Sequence, residues 1–358
     1  MILRCALARH FLYRPAMLNS IMEEYGSAAA LYGSDGSGRI PDGELEKAFS
    51  RESLEWAREE VEWCNSKGVI LLFKGMPGYP PLLEECDDAP SVLYFKGNAC
   101  LQGVRNISIV GTRLASSYGR EACVKVIADL VPYSPLIVSG LAYGIDVCAH
   151  KAALEMGLQS LAVLPTGIDS IYPARHRDVA AQLVASGGVI TEFPRGTEPV
   201  KMHFIKRNRI IAAISRGVVV VESRVKGGSM VTVELAQGYN RDVFAVPGRI
   251  TDPNSYGCNY LIAKNVAAIC NSSAAIPSAL GWEQGEGLDP ALQSQLFSAD
   301  GSCKRKLLLT LNFDSPMRIE QICAATSLDW STVSLCLLEL ELEGKVTVKN
   351  NTGYLLRK

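Results

Sequence analysis

Over the first 65 residues the apolar positions recur with a helical period. Met17, Leu18, Ile21, Met22 and Tyr25 stand at i, i+1, i+4, i+5 and i+8, one face of a 3.6-residue helix. Leu45, Phe49, Leu54, Trp56 and Val61 repeat the pattern through an acidic run at 44–62, and the stretch GSDGSGRIPDG at 33–43 reads as the loop between. Residues 68–97 carry strand candidates at 69–73 and 92–95 around MPGYPP, and are expected to connect the helices to a sheet.

From Arg105 the period changes. Short apolar runs at 107–110, 136–138, 161–164, 189–191, 218–221 and 243–246 predict strands buried on both faces, as central parallel strands are. Helical patterns at 118–130, 145–156, 175–185, 208–214 and 230–239 separate most of them. Alternating strand and helix predicts an α/β fold, a Rossmann-like, doubly wound and mainly parallel sheet. Residues 271–303 are rich in Gly, Ser and Pro and read as a linker. Beyond it, helical patterns at 304–311, 319–326 and 331–342 and strands at 346–348 and 354–356 predict a winged-helix-like module. Its third helix holds Glu339, Glu341 and Glu343 with no Lys or Arg before Lys345, which predicts protein contact rather than duplex reading.

Composition changes this picture little. At 358 residues, 48% hydrophobic and 20% charged, the chain is globular with room for two or three domains. No transmembrane run or signal-type core is present, so a cytoplasmic protein is expected. The eleven cysteines include no CxxC pair and no Cys/His spacing, which predicts reduced core residues and no metal site. Charge is partitioned. Residues 1–98 hold 10 Lys and Arg against 15 Asp and Glu, residues 99–280 hold 18 against 12, and residues 281–358 hold 8 against 10. The net +6 of the middle segment points to an anionic ligand there.

The candidate chemistry centres on KMHFIKRNRIIAAIS at 201–215, where Lys201, His203, Phe204, Lys206, Arg207 and Arg209 precede an apolar helical run. Small or polar turns follow the strands: Gly111-Thr112-Arg113, Ser139 to Gly144, Pro165-Thr166-Gly167, Glu192-Phe193-Pro194, and Glu222 to Ser229. Glycine turns let backbone N–H groups approach an oxyanion, helix N-termini favour negative charge, and Arg113 offers a bidentate donor to phosphate. The rim is therefore expected to hold a phosphate-bearing ligand. A GxGxxG fingerprint, a Walker A loop, HExxH, GxSxG and paired carboxylates are absent, so no catalytic residue and no cofactor are expected. Asp146 is expected at a helix N-terminus, His150 packed in a helix, and Glu192 and Glu222 in structural ion pairs. Arg113, Arg175, Arg177, Lys206, Arg207 and Arg209 would form a basic groove, with Phe204, Tyr143 and Tyr172 as stacking candidates.

The series IVGTR (109–113), SGLAYGID…AH (139–150), TGIDSIYP (166–173), FIKRNRIIAAIS (204–215), VVVES…GGSMVT (219–232) and VFAVPG (243–248) resembles, in order and spacing, the DNA-processing protein A family, also called DprA or Smf. YPPLL and VLYFKG (79–83, 92–97) match as well. The resemblance implies a homodimer that binds single-stranded DNA, protects it and helps load RecA recombinase in transformation or recombination, without turnover. It implies DNA contacts at Gly111, Thr112, Arg113, Ser139, Gly140, Arg175, Arg177, Phe204, Lys206, Arg207, Asn208 and Arg209. It also implies domains at 1–65 (helical, of SAM or helix-hairpin-helix type), 66–104 (connector), 105–270 (Rossmann-like), 271–303 (linker) and 304–358 (winged-helix-like). Two positions depart from the family pattern, Ile205 where Pro is usual and His176 where Asn is usual.

Two other readings fit parts of the chain. GGSMVTVE (227–234) loosely resembles the PGGxGTxxE signature of Rossmann-like phosphoribohydrolases acting on mononucleotides, with Glu234 as the acid or base, but lacks the Pro and the Gly-Thr pair. A transcription regulator with a winged-helix reader is opposed by the acidic third helix.

Overall fold

In the computed structural model, residues 1–285 form one compact unit and residues 286–358 a second. The structure describes residues 1–34, 40, 43–103, 105–282, 307, 311, 317–326, 328–342, 346–349 and 353–356.

The first unit opens with helices α1 (Ile2–His10), α2 (Pro15–Tyr25), α3 (Ala28–Tyr32), α4 (Glu44–Ala48) and α5 (Arg51–Ser66). Ser27 and Ser50 start α3 and α5 by accepting the N–H of Ala30 and Ser53. Leu7, Phe11, Leu18, Ile21 and Leu31 close a small core among α1 to α4. The helices are not detached from the sheet. Cys5, Ala6, Ala57 and Cys64 of α1 and α5 pack with its residues Phe73, Tyr94, Ala162 and Val189. Glu60 of α5, fully buried, accepts the backbone N–H of Arg195 at 3.0 Å and pairs with its guanidinium at 2.9 Å.

Next come β1 (Ile70–Phe73), α6 (Pro81–Glu84), β2 (Val92–Gly97), β3 (Asn106–Val110), α7 (Ser117–Leu130), β4 (Leu136–Ser139), α8 (Ile145–Glu155), β5 (Ser160–Val163), α9 (Arg177–Ala185) and β6 (Gly187–Thr191). They are followed by α10 (Lys201–Ala213), β7 (Gly217–Val220), α11 (Gly228–Gly238), β8 (Asp242–Ala245), α12 (Tyr256–Ala263), β9 (Ala268–Ile269) and α13 (Ala275–Ala279). The strands form one sheet of order β1-β2-β6-β5-β4-β3-β7-β8-β9. Strands β3 to β9 run parallel, while β2 lies antiparallel to β6 and β1 antiparallel to β2. Residues 66–104 are thus more than a connector, because their two strands extend the sheet edge.

Alternation along the strands builds two cores. Val110, Val138, Val218, Val220 and Ala245 face α10 and α11, with Ile210, Ile211 and Ile214 packed on them. Ile107, Ile109, Ile137, Val219 and Phe244 face α7 and α8, with Cys123, Ile127 and Ala149. From β3 the chain winds outward through β4, β5 and β6. It then returns along α10 to β7, on the other side of β3, and continues to β8 and β9. The strand order therefore switches between β3 and β7, where a crevice opens beyond the carboxyl ends of the strands.

Three expectations need correction. The helix expected at 208–214 begins at Lys201, so the basic cluster lies within it. Cations in a first turn oppose the helix dipole, which masks the start in sequence. The helix expected at 175–185 begins at Arg177, after a 3-10 turn at Ala174–His176. The stretch read as linker from 271 is structured at first. Ile276 of α13 and Trp282 are buried against the sheet, and Trp282 lies 6.2 Å from Tyr133, ring to ring. The remainder of that linker, 283–303, lies outside the described residues.

In the second unit, helices Ile319–Thr326 and Trp330–Leu342 pack with an antiparallel hairpin of Val346–Lys349 and Gly353–Leu356. Ile322, Val333, Leu337, Leu340 and Val346 form its core. Of the helix expected at 304–311 only Leu307 and Leu311 are described, both buried in that core. Glu343 and Lys345 lie outside the described residues. Among those residues no helix is long and apolar enough to cross a membrane.

Candidate nucleic-acid interface

At the switch point lies a pocket of about 280 Å³. Gly111, Thr112 and Arg113 enter it from the turn after β3, Asp146 from α8, and Ser223 to Ser229 from the turn after β7. Phe204, Arg207, Asn208 and Ile211 enter from α10. These four stand at i, i+3, i+4 and i+7, so one face of a single helix supplies them.

Local hydrogen bonds hold the β3 turn. Thr112 donates its N–H to the carbonyl of Glu222 at 2.7 Å, and its own carbonyl accepts from Ile145 at 3.1 Å. The Glu222 carboxylate accepts the Ser116 N–H at 2.9 Å and the Ser116 hydroxyl at 2.6 Å, at the N-terminus of α7. Gly144, at φ +78°, passes so close that a Cβ would stand 2.2 Å from the Thr112 carbonyl. Arg113 is thereby presented on a fixed loop, exposed, with its guanidinium 5.2 Å from the centre of the half-buried Phe204 ring. Tyr172 meets the same ring edge-on at 5.5 Å.

Deeper in, Arg207 is 3% exposed and donates from Nη1 to the carbonyls of Gly140 and Val163, each at 2.6 Å. Among the described residues its Nε has no hydrogen-bond partner. Burial lowers the Arg207 pKa to about 10, Arg113 adding to this and Asp146 opposing it. Burial raises the Asp146 carboxyl above its ordinary value, against the pull of Arg207 and Arg113. Helix α11 begins at Gly228 with no side-chain cap, leaving its first N–H groups to the pocket. Arg224 and Lys226 are exposed at the rim. Two guanidinium groups, an uncapped helix N-terminus and an aromatic face suit a phosphodiester carrying a base.

The basic run on α10 does not act as one patch. Lys206 and Arg209 point away from the pocket. Lys206 pairs with Glu192 at 3.0 Å, bonds the Leu12 carbonyl and lies over the Tyr13 ring at 4.8 Å. Arg209 donates to Glu192 at 2.5 Å and to the Asp88 carbonyl. Burial lowers the Lys206 pKa, with Glu192 opposing. Both side chains tie α10 to neighbouring chain segments, so the expected groove loses them. Neighbours on a helix diverge by about 100°, and once the helix starts at Lys201 the run must split between faces.

The other expected positions divide too. Ser139 is fully buried and donates to the Ile109 carbonyl at 2.7 Å, inside the sheet. Gly140 serves through its carbonyl, held by Arg207. Arg175 and Arg177 are exposed beside the Tyr172 loop but do not line the pocket. His176 is buried, its Nδ1–H donating to the Leu141 carbonyl at 2.8 Å, so it offers no contact at the surface of that loop. Ile205 is 51% exposed on α10. The turns at Pro165–Gly167 and Glu192–Pro194 are largely covered and do not line the pocket. His150 is buried, Nδ1 to the Ser160 hydroxyl at 2.8 Å, with its pKa lowered by burial to about 3. Asp146, Ser223, Arg224, Lys226 and Gly227 to Ser229 line the pocket but are not among the expected DNA contacts, although the turn from Glu222 to Ser229 is expected at the phosphate-binding rim.

Residues 70–281 match the family model described as DNA recombination-mediator protein A, and residues 294–349 match the DprA winged helix domain. The chain is 34% identical over 326 residues to Protein Smf of Synechocystis sp., covering 82% of each chain. It is 42% identical over 191 residues to DNA processing protein DprA of Streptococcus pneumoniae, covering 53% of this chain and 67% of the relative. The X-ray structure of DNA processing protein A from Streptococcus pneumoniae superposes with a TM-score of 0.65 at 33% identity, over 76% of this chain and 95% of that one. DNA processing protein A from Helicobacter pylori, described for its single-stranded DNA binding mode, superposes with a TM-score of 0.53 at 28% identity, over 57% of this chain and 94% of that one. With the family model spanning more than half its length, and a switch-point pocket built from the motif series read in the sequence, the chain belongs to the DNA recombination-mediator protein A family.

Proposed function

We propose that this chain binds single-stranded DNA at the switch-point pocket, without catalytic turnover, and acts as a recombination mediator that protects the strand and delivers it to the RecA recombinase. The observation carrying this reading is the Arg113 guanidinium poised over Phe204 at the mouth of a pocket whose far wall is a helix N-terminus. A base stacks against the Arg113–Phe204 pair, and its phosphate meets the N–H groups of Gly228 and Ser229, with the buried Arg207 cation behind them. Gly111, Thr112, Arg113, Phe204 and Asn208 contact the strand, and Arg207 supplies positive charge from behind them. Gly140 positions Arg207, while Lys206 and Arg209 hold the helix that carries the site. The single-stranded DNA binding of the Helicobacter relative supports the same ligand here. Homodimerisation, a cytoplasmic location and a part in transformation belong to the same reading and rest on family membership. The mononucleotide hydrolase is disfavoured, because Glu234 is exposed on α11 and does not line the pocket.

The test is fluorescence anisotropy with labelled oligo-dT against duplex of equal length. The chain is expected to prefer the single strand, and Arg113→Ala to weaken it at least tenfold, the loss of about 1.4 kcal/mol. Log affinity should fall linearly with log salt, and Arg113→Ala should flatten the slope by about 0.7, one phosphate's share. Equal binding of duplex and single strand, or an unaffected Arg113→Ala variant, refutes the assignment.

A further inference from the structure

Arg113 lines a second, larger depression as well, a groove of about 1040 Å³ between α7 and α8 on the neighbouring face. Its walls are largely apolar. Val124 and Val147 line it, Tyr143 is 44% exposed beside it, and Leu114 at the shared edge is 77% exposed. Arg120 and Lys151 stand over it, and among the described residues neither carries an ion pair. Lys125 is taken by Asp129, and Glu121 and Glu155 also line the groove, so Arg113, Arg120 and Lys151, none of them in an ion pair among the described residues, face two carboxylates. Arg120 also donates to the Ala115 carbonyl at 2.6 Å. Apolar surface beneath cations, with an exposed tyrosine braced edge-on against His176 at 5.0 Å, offers both the stacking face and the backbone charge of a single-strand track.

We propose that the α7–α8 groove is a second stretch of the single-strand path, taking the nucleotides next to the one in the switch-point pocket. The inference rests on the pocket reading above and extends it. Arg113 belongs to both depressions, so a strand leaving Phe204 passes the guanidinium on its way into the groove. It then meets the Tyr143 ring as a stacking face. Bases lie along Val124 and Val147, and backbone phosphates lie against Arg120 and Lys151. A single pocket of about 280 Å³ holds roughly one nucleotide, whereas single-strand binding folds occlude about 4–16. The groove supplies the missing length.

The full chain is tested by anisotropy with a short oligo-dT of about six nucleotides and a long one of about twenty, bracketing such site sizes. For each protein the ratio of long-strand to short-strand affinity is read. Register statistics then cancel between wild type and the Arg120→Glu/Lys151→Glu double variant. The ratio is expected to fall about tenfold in the double variant and several-fold in Tyr143→Ala, with thermal melting confirming the fold. Peptide mapping of iodoacetamide-treated wild type gives a readout without mutation, since Cys148 lines the groove. Its alkylation is expected to slow with the long strand and not with the short one. An unchanged ratio with unprotected Cys148 overturns the inference while leaving the pocket reading intact. A changed sedimentation mass with an unchanged ratio overturns it too, by making the groove a contact between copies of the chain. Failure of wild type to bind either strand overturns the pocket reading and the groove together.

Discussion

Arg207 donates from Nη1 to the carbonyl of Gly140 at 2.6 Å, and a Cβ at position 140 would stand 1.9 Å from that same nitrogen. The glycine is therefore required by the arginine. A buried guanidinium needs its donors satisfied, and only a residue without a side chain lets it reach this carbonyl and that of Val163 together. Gly140→Ala is expected to push Arg207 off its partners. Overpacking of this kind costs about 1–3 kcal/mol, read as a lower melting temperature. Single-strand affinity should fall with it, since the cation behind the phosphate site moves. A variant that melts and binds like wild type would show that Arg207 has another resting place.

Glu192 is the shared counter-ion of Lys206 and Arg209. Glu192→Gln leaves two largely buried cations facing a neutral amide, and breaking such a pair costs about 3–5 kcal/mol. The expected outcome is a large stability loss by denaturant titration. The triple replacement Glu192→Leu, Lys206→Met, Arg209→Met, which removes the charges together, should recover much of it. If the single and the triple variants are equally unstable, packing rather than charge explains Glu192.

His150 sits neutral inside the sheet-facing side of α8, its folded pKa lowered to about 3 by burial. An unfolded histidine titrates near 6.5, so between roughly pH 6.5 and 3 the unfolded chain binds the extra proton. Stability should therefore fall as the medium is acidified through that window, by at most about 1.4 kcal/mol per pH unit for this one group. Carboxylates contribute to the same trend, and comparison with His150→Gln isolates the histidine. The variant is expected to show the shallower dependence, and identical slopes would remove His150 from the account.

Cys148 has its thiol pKa lowered, chiefly by a hydrogen bond from Cys123 and further by Arg120 and Lys151, with burial opposing. More thiolate is present near neutral pH than for an ordinary cysteine. Cys123→Ala removes the donor and should raise that pKa. Alkylation of Cys148 at neutral pH is then expected to slow several-fold, with the difference vanishing at alkaline pH. Peptide-resolved mass spectrometry measures it, and a rate that does not change would assign the effect to the nearby cations alone.

Much of the fold could be read from the chain alone. The runs ISIV, LIV and VVVV are apolar at nearly every position, a pattern that only a sheet covered on both faces accommodates, and the helices between them force parallel pairing. The turn Gly111-Thr112-Arg113 and the ring of Phe204 were legible for the same local reason, since a glycine turn after a strand and an aromatic in a basic run have few other uses at a sheet rim. The start of α10 was not legible, because Lys201 and Lys206 weaken the local helix signal and the compensating Glu192 comes from another strand end.

Sequence by itself determined which residues are charged, which are apolar, and the spacing at which they recur. From that come the strands, the helices and the identity of the basic run. Tertiary structure decided where each charge is directed. Arg207 and Asn208 face the pocket while Lys206 and Arg209 face Glu192, because consecutive residues on a helix diverge by about 100° and each meets a different neighbour. Ser139, a plausible contact in the chain, is turned inward by the alternation of its strand. Asp146 and Ser229, distant from Arg113 in sequence, join it only because the strand order reverses between β3 and β7. That crossing depends on long-range packing, which no local spacing encodes.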